Sequence, residues 1–256
     1  MAFPAIASTT TTLTATEVTT HTGNYPATVN ADDLLVLLYA SGWGGGTVTT
    51  PTGYDGTIKF DASNGTSSRL SGFVKKAAGT EGGGTVDVVT SDAAQGIIRI
   101  FRITGWYNTL SGGVEFGTAA TGNDASPDSP NLAPAWGSAD NLWIAAHGTR
   151  GLTADTTAYP SGYSGGTYSE NAAENGSACG MGSAYKQATA ASENPGVFTN
   201  ANSAYWVAQT IAIRPSAGGG GGGGGSGNNS GADTSPAMPA ASLTVIPRRI
   251  MGGSSI

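Results

Sequence analysis

Residues 31–38, ADDLLVLL, return at residues 139–146 as ADNLWIAA. The first copy runs without a polar side chain through DLLVLLYA (33–40), once Asp33 is passed. A continuous apolar run of this length reads as a strand covered on both faces, or as the core strand of a sandwich. Further echoes follow in the same order. PTGYDG (51–56) is matched by PSGYSG (160–165), and VKKAAGTE (74–81) by YKQATAASE (185–193). Each half closes on an alternating apolar strand, Ile97 to Ile103 in one and Val207 to Ile213 in the other. The offset stays near about 110 residues, as a duplicated unit requires. Two small domains or two layers of one sandwich would both produce this pattern. Four or five strands per half is little material for an independent core, which favours two layers of one sandwich.

The rest of the chain suits that reading. Of its 256 residues, 41 are Gly and only 11% are charged. Turn residues arrive every 8 to 15 positions, the rhythm of short strands, and no amphipathic helix is visible. The expected fold is therefore all-β: an antiparallel, jelly-roll-like β-sandwich with an internal pseudo-repeat. The expected layout is an N-terminal extension (1–24), a sandwich (25–215) of two halves (about 31–104 and 139–214), a Gly-rich linker (216–240) and a C-terminal arm (241–256). The segment from Thr118 to Gly137, rich in Pro, Asp, Ser and Asn, reads as a long loop between the halves.

Charge and cysteine content narrow the function. A net charge of −6 provides no basic face for nucleic acid. The single cysteine, Cys179, rules out an internal disulfide and suits folding in a reducing cytosol. No signal peptide and no apolar run of membrane length is expected. Neither a cofactor nor a metal is expected, and no nucleophile–base pattern points to an enzyme. His21 and His147 stand far apart, and Asp32, Asp33 and Asp140 read as solvated guards of strand ends.

The Pro51-Thr52-Gly53-Tyr54 and Pro160-Ser161-Gly162-Tyr163 motifs read as turns in which Gly supplies φ > 0, with the Tyr packed over the turn and its hydroxyl in water. Trp143 and Trp206 sit inside repeated strands and are expected in the core. Trp43 and Trp106 flank glycines at loop ends. Exposed, they would join Tyr54 and Tyr163 as a surface for recognising a glycan or a protein.

Taken in order, DDLLVLL, PTGYDG, FVKKAAGTE, GIIRIFRITG, SADNLWIAA, YPSGYSGG, ENPGVFTN and WVAQTIAIRP resemble a group of tailed-bacteriophage virion proteins, over roughly residues 25 to 215. The resemblance implies a β-sandwich on the head or tail exterior, assembled in the host cytoplasm. It implies a capsid decoration or cement protein, or a tail, baseplate or fibre component that binds host-surface glycans. The implied partners are major capsid or tail proteins and further copies of the chain. No catalytic residue carries over.

Beyond the sandwich, eight glycines (Gly218 to Gly225) begin a flexible tether. A Gly-rich coil of about 25 residues spans roughly 25–30 Å. It leads to Leu243, Thr244, Val245 and Ile246, which can add as a strand to a partner's sheet edge. Arg248 and Arg249 would then meet carboxylates on that partner. Truncation after Pro215 is expected to leave a folded but unattached domain.

Overall fold

The computed structural model describes residues 2–151, 154–171 and 178–217. The proposed docking residues Leu243 to Ile246, Arg248 and Arg249, and the linker from Gly218 onward, lie outside the described residues. The first half forms β1 (Ala5–Asn24), β2 (Ala31–Ser41), β3 (Val48–Thr49), β4 (Lys59–Asn64), β5 (Ser68–Ala78) and β6 (Thr85–Thr104). The second forms β7 (Val114–Phe116), β8 (Ala120–Asp124), β9 (Asp128–Ser129), β10 (Ala139–Arg150), β11 (Thr156–Ala158), β12 (Ser164–Glu170), β13 (Cys179–Ala190), β14 (Gly196–Val197), β15 (Thr199–Asn200) and β16 (Ala204–Ile213). No helix occurs among the described residues.

Two antiparallel sheets result. Sheet one runs β1-β6-β2-β5-β4, and sheet two runs β12-β13-β10-β16-β7 with β8 also beside β16. Read from opposite ends, the orders coincide: β4, β5, β2 and β6 correspond to β12, β13, β10 and β16. The register agrees as well. Leu34 lies between Lys76 and Ile103, and its counterpart Leu142 lies between Gln187 and Ile213. Each sheet draws all its strands from one half of the chain, so the layers are two copies of one wiring.

Alternate side chains meet between the layers. Leu34, Val36, Leu38, Leu70 and Phe101 from sheet one pack with Leu142, Ile144, Met181, Val207 and Ile211 from sheet two in one buried cluster. Removing each such side chain from water contributes roughly 1.5–3 kcal/mol. The intervening residues of β2 point the other way and are also buried. Leu35, Leu37 and Tyr39 pack with Phe73, Ile98 and Ile100 under Tyr25, Val29, Tyr54, Val86 and Val88. This is why β2 has no polar alternation: both its faces are covered.

The cover on sheet one comes partly from β1 and β6 themselves. Their pairing register shifts between Thr14 and Thr20, and the ribbon folds back there. Thr10 Oγ1 consequently donates to the Asn24 carbonyl at 2.6 Å, two residues of the same strand. His21 is carried onto Tyr39, with ring centroids 5.0 Å apart. A Cβ on Gly23 would stand 2.7 Å from Ile98 Cγ2, so only glycine allows this approach. On sheet two, Leu132, Trp136, Tyr163 and Phe198 from the loops and from the short pairs β9–β14 and β11–β15 play the corresponding part.

Two expectations about segments need correction. Residues 5–24 are no extension ahead of the sandwich; they are the edge strand of sheet one, paired with β6 from Ala5↔Thr104 to Asn24↔Thr85. The segment from Thr118 to Gly137 is not only a loop, because it contains β8, which pairs with β16, and β9. Both pairings join residues far apart in the chain, and local composition does not register them.

Candidate functional site

The two Pro-x-Gly-Tyr turns are built alike. Tyr54 N–H donates to the Pro51 carbonyl and Tyr163 N–H to the Pro160 carbonyl, both at 3.1 Å. Gly53 and Gly162 hold φ of 81° and 77°, the left-handed region that the third position of a type II turn demands. Each turn brings its tyrosine to the outer face of its own sheet, beside a lysine from the next long strand. Lys75 on β5 pairs with Glu81 at 2.9 Å, and Lys186 on β13 pairs with Glu193 at 2.9 Å. Lys186 also sits 5.9 Å from the centre of the Tyr163 ring, and Tyr163 Oη approaches Glu193 at 3.5 Å. In the first half Lys75 lies 5.9 Å from the ring centre of Tyr25. The two Lys–Glu–Tyr clusters act as latches that hold a covering loop against a sheet.

The first latch is the more deeply set. Glu81 accepts N–H bonds from Ala78, Gly79 and Thr80, each at 3.0 Å, in addition to Lys75. Burial pushes its carboxyl up, but the Ala78 N–H and Lys75 outweigh burial and hold it at about 2. Burial raises the Tyr25 and Tyr54 hydroxyls above their ordinary value. Beside this latch opens a cleft of about 410 Å³, lined by Tyr25, Thr52, Lys75, Glu81, Val86 and Asp87. It offers an aromatic face, a cation and carboxylates, a combination suited to a polyhydroxylated or zwitterionic ligand. Glu81 is held ionised by four donors, which fix the loop to β5.

The four aromatic residues expected as an exposed surface are not brought together. Trp106 is buried within the core between the sheets, and its Nε1–H donates to the Asp32 carbonyl at 2.8 Å. Tyr54 is buried where its own turn packs onto sheet one. Tyr163 is half-buried on sheet two, and half-buried Trp43 donates to Asp92 Oδ2 at 3.2 Å. The turns that carry Tyr54 and Tyr163 lie on the outer faces, and both rings help to cover them. Exposure at Trp106 and Tyr54 is thus corrected. Trp143 and Trp206 are buried, as their strand positions suggested.

The expected strand-end guards divide. Asp32 is exposed, paired with Lys76 at 2.8 Å, and holds φ at 68°. Asp33 is not solvated: it is buried, bonded to Arg102 Nε at 2.5 Å and to the Asn30 N–H at 2.7 Å. Arg102 reaches it from the neighbouring strand β6, a contact only the sheet order creates.

Two features, one beside the cleft and one between the sheets, escape the sequence. Tyr25 carries no motif of its own, and the β1–β6 ribbon sets it beside Lys75. Arg99 is buried. Its guanidinium reaches Thr11 Oγ1, the Thr167 carbonyl, Ser169 Oγ and Ser183 Oγ at 2.6–3.2 Å, tying sheet one to sheet two. Burial lowers its pKa to about 10. No group of three His, Cys, Asp or Glu side chains gathers for a metal among the described residues. His21 and His147 are buried in separate halves, lowered by burial to about 4 and about 3.

Compared with known proteins, the chain matches no family model, no curated protein and no solved structure.

Proposed function

We propose that the chain is a structural protein of a bacteriophage virion, displayed on the particle exterior as a capsid decoration or cement protein. It binds major capsid or tail proteins through its C-terminal arm. The observation that supports this most is the duplicated sandwich with both outer faces covered by its own loops. Such a block needs no partner to complete its core, and it meets neighbours through edges and loops. The resemblance of its strand and turn motifs to tailed-phage virion proteins supplies the setting, and the acidic surface resists adhesion to the packaged genome.

Removal of the chain from particles tests the proposal. Particles lacking it should assemble but lose density at defined exterior sites and disrupt at lower temperature. Unchanged density and unchanged thermal release of the genome would refute it. A chain truncated after Ala217 keeps the Ser216 N–H bond to the Gly105 carbonyl. It should fold normally and fail to bind particles.

The cleft beside Tyr25 favours a second reading, a tail or fibre adhesin for host-surface glycans. On that reading a host glycan binds the full chain, and Asp87→Ala or Thr52→Trp lowers affinity at least about tenfold, near 1.4 kcal/mol. Binding unchanged by both substitutions sets it aside.

A further inference from the structure

We infer that the outer edge of β1, Ser8–Thr14, is the contact by which two copies of this chain pair, edge to edge, about a twofold axis through Thr11. This inference goes beyond the virion proposal and stands on the sheet edges alone.

The four ends of the two sheets are unequal. At the far edge of sheet one, β4 carries Lys59 and Asp61, and Asn64 Nδ2 bonds the Gly122 carbonyl of β8 at 2.7 Å. At one edge of sheet two, β12 breaks register between Ser164 and Thr167. A Cβ on Gly166 there would stand 2.5 Å from the Tyr159 ring, so that edge is kinked and covered. At the other, β7 has three residues including Glu115, and β8 has five ending in Asp124. Charges, bulges, covers and shortness are the devices that stop strands from adding to an edge.

Over Ser8–Thr14 the β1 edge is neither charged, bulged nor short, and Asn24, which lies against it, bonds the side chains of Thr10 and Thr12. Its seven residues, STTTTLT, contain no charge, no proline and no glycine. They pair with β6 without a shift, from Ser8↔Arg102 to Thr14↔Gly96. In an antiparallel pair the backbone groups of alternate residues turn away from the partner strand. Among the described residues β1 has no strand partner but β6, so those groups face outward. Thr9, Thr11 and Leu13 are exposed, Leu13 to 48%.

A second copy fits this edge better than a foreign strand of definite charge. Antiparallel pairing about Thr11 sets Ser8 opposite Thr14, Thr9 opposite Leu13 and Thr10 opposite Thr12. Every residue thereby meets one on the same face of the sheet, and the whole segment is used. Threonine and β-branched cross-strand pairs are favourable, and no like charges meet. The result is one sheet continuous through both copies.

Sedimentation of the full-length chain at roughly 100 μM, a concentration that detects a micromolar dimer, tests this. The native chain should sediment at twice its 25.3 kDa. T9K/L13K places lysine opposite lysine at both ends of the pairing and should yield a folded monomer. T9K/L13E places lysine opposite glutamate and should remain dimeric. Circular dichroism and melting temperature verify folding of each variant. T11C should form a covalent dimer on mild oxidation, since Cys179 is buried and does not compete. A monomeric native chain, or a dimer indifferent to T9K/L13K with no T11C cross-link, overturns the inference.

Discussion

In sheet one the strand next to β6 is β1, twenty residues long; in sheet two the strands next to β16 are β7 and β8, three and five residues long. The three inner strands of each sheet otherwise share order and register. The latches differ in the same direction. Glu81 has three backbone N–H donors besides its lysine, whereas Glu193 has Lys186 and the more distant Tyr163 hydroxyl. A duplicated core thus tolerates divergence at its rim. Inner strands are constrained by neighbours on both sides and on both faces, and rim strands by fewer. The rim is where, among the described residues, an edge with a single strand partner and a cleft arise.

Substitution at equivalent inner positions tests the shared core most severely. Leu35 and Trp143 occupy the same place in the two halves, both fully buried. Trp143→Ala should cost about 4 kcal/mol and Leu35→Ala about 3 kcal/mol in urea unfolding. Because the two sheets share one core, each variant should still unfold in a single transition. Two separate transitions would show that the halves are independent.

The histidines compare the outer faces. Both are depressed below the ordinary 6.5, so below that pH the unfolded chain binds protons that the folded chain does not. Stability is therefore full above pH 6.5 and falls as pH drops towards 4. For His21 the loss by pH 4 is roughly 3 kcal/mol. His21→Gln should flatten part of this slope and leave the His147 part, as measured by urea midpoints from pH 7 to 4.5.

The latches give a smaller contrast. Glu81→Gln should cost about 2 kcal/mol, leaving Lys75 and the loop N–H groups poorly matched. Glu193→Gln should cost about 1 kcal/mol, with both read from thermal melts at pH 7. The Glu81 carboxyl, depressed from 4.5 to about 2, contributes stability that is complete above pH 4.5 and lost as pH falls through about 2. Smallest of all, Tyr163→Phe removes one long hydrogen bond and should cost about 0.5 kcal/mol.

Much of this architecture was legible in the residues. The ADDLLVLL and ADNLWIAA copies located the central strand of each sheet, and the Pro-x-Gly-Tyr motifs located the turns. A lysine followed within a few residues by a glutamate recurs in both halves, although the pairing of the two was not visible. The burial of Trp106 and of the Tyr54 hydroxyl is not legible locally, because a Gly-flanked aromatic has the same pattern on a projecting loop and on a folded-down one. Tyr25 and Arg99 left no signal, since their partners lie tens of residues away.

By itself, then, the sequence determined the all-β class, the duplication and the turn chemistry. Those properties are carried by backbone preference and periodicity within a few residues. The tertiary structure alone decided that residues 5–24 join the sheet, that Asp33 meets Arg102, and that β1, among the described residues, has β6 as its one strand partner. Each depends on which distant strands pair. That choice is made by the total burial of two apolar faces, a quantity no short stretch contains.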